Sequence, residues 1–373
     1  MPGNTYLNQP LHKNVSNRKV YIMKKISLFL SAISVVILSG CATQFAANKV
    51  DDWQPEIVAT KPPADLPFGQ KPEWYSKSIG FANYEPIVPT FNNKGNLLAS
   101  WNPGPGDVKN NPTFVVIHGG HGITPSDLGE ARWLKLRFGA NVLILDSFWS
   151  RGEVTNFRTF TKYGANMRVL DVLAAGKWLR DVQGVDTNKL FVLGSSQGGW
   201  TVLRLFTDDP FYQEQNKNLF KAGISLYPVC TTGFNSHAPD LGPYYAPVIV
   251  FTGEKDTATN YRACDSAVFT KTQQWTNYPD ATHAWNTSAG WKNSGGFGKS
   301  ALFDKECHGS LNNFQVCRSD AAVYDMHGKI TKFIKEQTGM NYDKELEYFT
   351  SRPDWAPANK YPKPIVPYQE QNK

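Results

Sequence analysis

The most informative stretch of the chain is Leu190-Phe191-Val192-Leu193-Gly194-Ser195-Ser196-Gln197-Gly198, an apolar run that leads into a glycine-flanked serine. The apolar residues predict a buried strand, and Trp200–Phe206 continues as a plausible helix. The G-x-S-x-G pattern between them is centred on Ser196. On a sharp strand-to-helix turn, such glycines remove Cβ atoms that would clash, and the central serine is exposed as a nucleophile. A Gly-rich surface turn is the alternative, and the flanking strand and helix favour the nucleophile.

Similar patterns extend on both sides of this stretch. Four more apolar runs predict strands, and two segments have the spacing of helices. The strands are Thr113–Ile117, Val142–Leu145, Ile224–Tyr227 and Val248–Phe251, and the helices span Met167–Trp178 and Val323–Ile334. Solidly apolar strands that alternate with helices predict an α/β fold, with a mostly parallel sheet covered by helices on both faces.

A nucleophilic serine needs a base, and the base needs an acid that orients it. Asp256 follows the predicted strand Val248–Phe251, and His283 lies on a loop farther along the chain. Sheets of this kind keep their sites at the carboxyl ends of the strands. Glu254 and Asp280 are rival acids, and the position after the strand favours Asp256. The sequence therefore predicts a triad of Ser196, Asp256 and His283.

The segment His118-Gly119-Gly120-His121 follows the first predicted strand. Acyl transfer needs two backbone N–H groups that stabilise an oxyanion, and we expect these from Gly120 and Gln197. His118 and His121 could instead be a pair of metal ligands, but no third ligand lies at a recognisable spacing. The sequence predicts neither a metal nor another cofactor.

Together these motifs give residues 78–338 a resemblance to the dienelactone-hydrolase-like branch of the α/β-hydrolase superfamily. That superfamily keeps its triad in the chain order serine, acid, histidine, as here. The resemblance implies the α/β-hydrolase fold. Typical dienelactone hydrolases use a Cys nucleophile where this chain has Ser196, and this departure favours an ordinary esterase. The motifs are 117–120, 146–152, 194–199, 253–256 and 279–283.

Arg151 is a candidate for substrate binding. Dienelactone hydrolases place an arginine that binds the substrate carboxylate in a similar loop after a strand, and a planar guanidinium suits a carboxylate. In a second interpretation, Arg151 pairs with Asp146 and only holds the loop. The sequence favours neither.

The N-terminal segment resembles a bacterial lipoprotein signal peptide. Lys24-Lys25 precede a short apolar run, and Leu38-Ser39-Gly40-Cys41 matches the lipobox. Residues 1–40 are then a leader, with translation expected to start at Met23, and Cys41 is lipidated. We expect a cell-envelope protein that is anchored to a membrane, at the outer membrane or on the periplasmic side in a Gram-negative cell.

The remaining organisation follows from composition and cysteine number. Pro-rich segments predict a tether over 41–77 and a surface tail over 339–373, on either side of the catalytic domain at 78–338. Without Cys41, four cysteines remain, an even number that indicates disulfides in an oxidising compartment. Of the three possible pairings we favour Cys230–Cys264 and Cys307–Cys317, the second because it closes a short loop.

The formal net charge of +7 excludes little by itself, because five of the 39 basic residues lie in residues 1–40, which contain no acid. No Lys/Arg cluster of the kind that binds nucleic acid is visible in the rest. The leading hypothesis is a serine hydrolase that cleaves a small-molecule carboxylic ester through an acyl-enzyme. A peptidase or amidase with the same triad, and a non-catalytic surface lipoprotein, are the alternatives.

Overall fold

The computed structural model describes residues 84–153, 164–230, 243–259, 264, 274–286, 307–309 and 315–341. All of them belong to one compact unit bounded by Pro55 and Lys373. The predicted leader, the lipidation site Cys41, the tether over 41–77 and residues 342–373 of the predicted tail lie outside the described residues. In the part of the chain that is described, no helix has the length and hydropathy to cross a membrane.

An eight-stranded sheet forms the centre of the fold, in the order β1-β2-β4-β3-β5-β6-β7-β8. Strands β3 to β8 run parallel, and β2 is antiparallel to both of its neighbours, β1 and β4. Every residue of β3 to β7 is buried, as expected where both faces of a sheet are covered. The strands are β1 (Glu85–Pro89), β2 (Asn96–Asn102), β3 (Thr113–Ile117), β4 (Asn141–Leu145), β5 (Leu190–Ser195), β6 (Ala222–Leu226), β7 (Val248–Gly253) and β8 (Gln274–Tyr278).

Five α-helices are described around this sheet. They are α1 (Pro125–Phe138), α2 (Ala165–Trp178), α3 (Gln197–Leu205), α4 (Pro210–Asn216) and α5 (Asp320–Thr338). A π-helical turn, Leu179–Gln183, extends α2, and short 3₁₀ turns lie at Val108–Asn110, Trp149–Arg151 and Thr187–Lys189. A separate antiparallel pair consists of β9 (Cys307–Gly309) and β10 (Gln315–Cys317).

The strand order determines which helices share a face. The chain passes from β3 to β4 in one direction and from β4 past β3 to β5 in the other, so right-handed crossovers put α1 and α2 on opposite faces. Helix α5 lies on the same face as α1, because the Trp133 and His327 rings stack with centroids 3.7 Å apart. Helix α3 lies on the same face as α2, and Arg204 of α3 donates a hydrogen bond of 2.9 Å to Asn166 of α2. The predicted α/β fold, with helices on both faces, is confirmed.

Several elements were not individually predicted: β1, β2, β8, β9, β10, α1 and α4. The five predicted strands are present, with ends that differ by at most two residues. The reversal of strand order brings the carboxyl ends of β3 and β5 side by side, where open α/β sheets bind their ligands. The loops that leave these two strands begin at His118 and Ser196.

One predicted disulfide links two loops on this side of the sheet. Cys230 and Cys264 are bonded, with Cα atoms 5.3 Å apart, which confirms that pairing. Cys230 follows β6, and Cys264 follows the loop that contains Asp256. Cys317 is also disulfide-bonded. The backbone of Cys307 lies opposite it in the register of β9 and β10, as the second predicted pairing requires.

Replacing both Cys230 and Cys264 by Ser should lower the free energy of unfolding by about 2–4 kcal/mol, because the unfolded chain gains loop entropy. Urea denaturation of the double variant and the wild type measures the difference. In dithiothreitol, which reduces the bond in the wild type, this difference in stability between the wild type and the double variant should disappear. Equal stability of the two proteins in oxidising buffer, together with free thiols at Cys230 and Cys264 in peptide mapping of the wild type, would contradict the prediction.

Candidate active site

Ser196 occupies the turn between β5 and α3 with a strained backbone. Its φ is 53° and its ψ is −115°, a conformation that residues with a Cβ rarely adopt. The turn is held from the side, because the Ser196 N–H donates to the Leu226 carbonyl at 2.9 Å. Such strain persists only where the surrounding structure imposes it, and it concentrates at functional sites.

The glycines of the G-x-S-x-G pattern are required by space. A Cβ on Gly194 would lie 2.3 Å from the Gly198 carbonyl oxygen. One on Gly198 would lie 2.6 Å from the carbonyl oxygens of both Ile117 and His118. Neither glycine has a positive φ. Their role is therefore to let α3 approach the loop after β3 closely.

The structure brings Ser196, His283 and Asp256 into one hydrogen-bonded row. His283 Nε2 lies 3.0 Å from Ser196 Oγ, and His283 Nδ1 lies 2.7 Å from Asp256 Oδ2. The carboxylate only accepts hydrogen bonds, so the His283 proton sits on Nδ1 and Nε2 can accept the serine proton. This is the geometry of a nucleophile, a base and an orienting acid.

The Asp256 carboxylate is itself held in place. Its Oδ1 accepts the backbone N–H groups of Ala258 and Thr259, both at 2.8 Å, and its Oδ2 accepts the Thr259 hydroxyl at 2.7 Å. The rival acids are engaged elsewhere. Glu254 accepts the Asn277 amide at 2.9 Å, and the exposed Asp280 pairs with Lys255 at 2.6 Å.

A pocket opens beside this row, and most of its wall comes from the loop after β3, the start of α1 and the loops around Tyr227 and His283. The lining residues are Gly119, Gly120, His121, Thr124, Ser126, Ser195, Ser196, Tyr227, His283, Ala284 and Val316. None of these described lining residues is an Asp, Glu, Lys or Arg. Burial and nearby His283 lower the pKa of His121 to about 4, so this ring is neutral at pH 7. Neither a carboxylate, a lysine, an arginine nor His121 therefore adds charge to the described lining at pH 7.

Both predicted oxyanion donors lie next to Ser196. Gly120 lines the pocket, and a Cβ on its neighbour Gly119 would be 3.3 Å from Ser196 Cβ. Gln197 is the first residue of α3, where a backbone N–H has no acceptor within the helix. The two groups thus come from the loops after β3 and β5.

Arg151 does not reach this pocket, which contradicts its predicted role in substrate binding. Its side chain is fully buried, and its guanidinium donates to both Asp171 oxygens, at 2.8 and 2.9 Å, and to the Ser147 carbonyl at 2.6 Å. The alternative pairing with Asp146 is also wrong, because Asp146 Oδ1 accepts the N–H groups of Phe148 and Trp149. The true partner, Asp171, lies on α2, and its acidic side chain in a helix with apolar spacing was the available signal.

Sequence reasoning also missed the pocket residues Thr124, Ser126 and Tyr227. Tyr227 directly follows β6 and has a φ of 35°. Its ring packs edge-on against the His283 ring, with centroids 4.8 Å apart. Its hydroxyl donates to Asn286 at 2.8 Å. A tyrosine after an apolar strand is too common to have marked this position. Among the described residues, no group of three His, Cys, Asp or Glu side chains could hold a metal ion.

The comparisons with known proteins agree with this arrangement. The model of the prolyl oligopeptidase family matches residues 151–284, a segment that contains Ser196, Asp256 and His283. The chain has the α/β-hydrolase fold. The family match over these residues and the Ser–His–Asp row support a serine hydrolase. No curated protein matches the chain significantly.

Solved structures with a similar fold are distant in sequence from this chain. A protein from Klebsiella pneumoniae described as a dienelactone hydrolase has 17% identity and a TM-score of 0.48, with 68% of this chain and 98% of that chain covered. An esterase from the Planctomycetes species Thermogutta terrifontis has 14% identity and a TM-score of 0.45, with 68% and 92% covered. Dipeptidyl peptidase 4 of Porphyromonas gingivalis has 17% identity and a TM-score of 0.42, with 55% and 33% covered.

Replacing Arg151 by Met should lower the free energy of unfolding by about 3–5 kcal/mol, because Asp171 would remain buried without its partner. Thermal and urea denaturation measure the loss. Arg180→Met is the matched control. It breaks a pair with Asp181 in which the two side chains are 40% and 56% exposed, and it should cost under about 1 kcal/mol.

The Arg151 variant should retain the wild-type ratio of kcat/KM values for neutral and carboxylate-bearing esters. A rise in KM confined to the carboxylate-bearing esters, with an unchanged melting temperature, would restore the substrate-binding role.

Proposed function

We propose that this α/β-hydrolase cleaves a neutral carboxylic ester through an acyl-enzyme intermediate on Ser196. The observation that carries the proposal is the continuous hydrogen-bonded row from Ser196 Oγ through His283 to Asp256, at 3.0 and 2.7 Å. A strained nucleophilic turn and an ordered triad have no use in a protein that only binds. This favours an enzyme over the surface-scaffold alternative.

In the proposed mechanism, His283 Nε2 takes the hydroxyl proton as Ser196 Oγ attacks the ester carbonyl carbon. Asp256 keeps the imidazole in the required tautomer and stabilises the imidazolium that forms. The N–H groups of Gly120 and Gln197 stabilise the tetrahedral oxyanion. When the carbonyl re-forms, the C–O bond to the alcohol breaks and the alcohol takes the proton from His283. Water then attacks the acyl-enzyme in the same way and releases the acid.

The pocket favours an ester without charged groups near the carbonyl. Its described lining offers no carboxylate for the ammonium group of a peptide, and the buried Arg151 supplies no cation for a substrate carboxylate. The presence of Ser where dienelactone hydrolases have Cys also favours an ordinary esterase. A peptidase remains the second candidate, on the strength of the match to the prolyl oligopeptidase family over residues 151–284.

Kinetics with matched aryl esters and anilides of the same acyl groups should test the proposal. We expect the wild type to have the higher kcat/KM on the esters, and Ser196→Ala to lower kcat by about 10⁶-fold, because removal of the nucleophile abolishes acyl-enzyme formation. The ester series should run from acetyl to longer acyl chains, beside peptide anilides.

A fluorophosphonate probe supplies the matched control. Ser195→Ala removes the neighbouring hydroxyl and should still be labelled, whereas Ser196→Ala should not. Labelling that survives in Ser196→Ala would refute the nucleophile. A higher kcat/KM on peptide anilides than on the matched esters would favour the peptidase.

We further propose that the enzyme is a lipoprotein of the cell envelope, anchored through Cys41. The lipobox Leu38-Ser39-Gly40-Cys41 motivates the anchor. The Cys230–Cys264 disulfide supports an oxidising compartment, because such bonds are rare in the cytosol. Two or more acyl chains anchor a protein stably, whereas a single chain does so only weakly.

Cys41→Ser should therefore move the protein from the membrane fraction to the soluble fraction, without loss of ester hydrolysis. Mass spectrometry of the mature N-terminus should find acyl groups on the wild type only. If the Cys41→Ser protein still sediments with membranes, the anchor lies elsewhere in the chain.

A further inference from the structure

The His118 side chain is buried behind the loop that contributes Gly120, and both of its ring nitrogens are engaged. Nε2 lies 3.2 Å from the Ser147 backbone nitrogen, and Nδ1 lies 2.7 Å from the Gly119 carbonyl oxygen. Ser147 N–H can only donate, so Nε2 is the acceptor and the ring proton sits on Nδ1. Nδ1–H therefore donates to the Gly119 carbonyl, which also accepts the Gly122 N–H at a longer distance of 3.4 Å.

The surroundings keep this ring neutral and in one orientation. Burial and the nearby Arg168 guanidinium hold the pKa of His118 well below its usual range. The carboxylate of Asp146 is 3.8 Å from Nε2, too far for a hydrogen bond. The Phe148 ring packs against the imidazole at 4.6 Å between centroids. The uncharged His118 ring thus accepts the Ser147 N–H of the loop after β4 and donates to the Gly119 carbonyl of the loop after β3.

The hydrogen bond to Gly119 determines where the next N–H points. In a trans peptide, the carbonyl of one residue and the N–H of the following residue point in opposite directions. Because the Gly119 carbonyl faces the His118 ring, the Gly120 N–H points away from that ring. Gly119 and Gly120 both line the pocket beside Ser196.

The orientation of a Gly–Gly peptide depends strongly on such a hydrogen bond. Glycine has no Cβ, so both orientations of the Gly119–Gly120 peptide are sterically accessible. The preceding peptide is also held, because Arg168 Nη2 donates to the His118 carbonyl. Arg168 is fully buried on α2. Two successive carbonyls of the loop are therefore held on the side away from the pocket.

We propose that His118 is a positioning residue for the oxyanion hole: its Nδ1–H holds the Gly119 carbonyl so that the Gly120 N–H faces the tetrahedral oxyanion. This role rests on the serine-hydrolase function proposed above. His118 touches neither the substrate nor the reacting atoms, and its effect is confined to the transition state, where the oxyanion forms.

A pair of similar amides tests this role. The side-chain N–H₂ of Asn occupies nearly the place of Nδ1, whereas that of Gln lies nearer the place of Nε2. We expect His118→Asn to keep kcat on the aryl ester within about tenfold of the wild type. His118→Gln and His118→Ala should lower kcat by about 10²–10³-fold, the loss typical of one oxyanion donor, with KM nearly unchanged.

A trifluoromethyl ketone that forms a tetrahedral adduct supplies the second readout, because its oxyanion occupies the hole. Its affinity should fall in His118→Gln and His118→Ala in proportion to kcat/KM, and it should recover in His118→Asn. Titration with the fluorophosphonate counts the folded sites, so that a less stable variant is compared per competent site.

Equal kcat in the Asn and Gln variants, or a loss that appears only in KM, would overturn the positioning role. Such a result would leave the proposed function intact as long as labelling still requires Ser196. Labelling that is independent of Ser196 would refute the proposed function itself.

Discussion

The site depends on one constraint: the start of α3 packs against the backbone at the end of β3 with no side chain between them. Gly198 of α3 lies against the carbonyls of Ile117 and His118, where a Cβ would come within 2.6 Å of both oxygens. Because interiors are close-packed, a side chain at this contact would push α3 away from the loop after β3. That movement would separate Ser196 from the Gly120 N–H. The proposed nucleophile and one proposed oxyanion donor are thus placed by the same contact.

Buried charge lies directly behind this contact. Arg151, Arg168, Asp146 and Asp171 are all buried, on α2 or in the loop after β4. Isolated ions would be costly there, and the bidentate Arg151–Asp171 pair offsets part of the cost with two hydrogen bonds. Burial raises the pKa of Asp146 to about 7, and the Phe148 and Trp149 N–H groups and both arginines act in the opposite direction. These charges connect the loops after β3 and β4 to α2. Arg151, which the sequence pattern suggests for substrate binding, thus has a structural use.

Much of this site was predictable, because its signals are local. A four-residue apolar run before Gly194 and the order of Ser196, Asp256 and His283 need no knowledge of the rest of the chain. The features that were missed depend on contacts between distant segments. Asp171 meets Arg151 only after α2 folds back over the sheet. Strand β1 is an edge strand and β2 is its antiparallel neighbour, and neither has a solid apolar run. Helix α1 lacks a strong apolar stripe, so its periodicity gave no clear signal.

Two histidines with the same tautomer have different proposed roles, and their surroundings distinguish them. In both rings the proton is on Nδ1. At His283 the acceptor of that proton is the Asp256 carboxylate, which stabilises a positive ring, and Nε2 faces the hydroxyl of Ser196. At His118 the acceptor is the neutral Gly119 carbonyl, and Nε2 is occupied by the Ser147 N–H, so the ring has no site for a second proton. The nearby Arg168 opposes protonation further. A ring that can gain a proton can act as a base, and a ring that cannot is suited to holding a peptide in one orientation. The hydrogen-bond partner of each Nε2 therefore distinguishes the proposed base, His283, from the proposed positioning residue, His118.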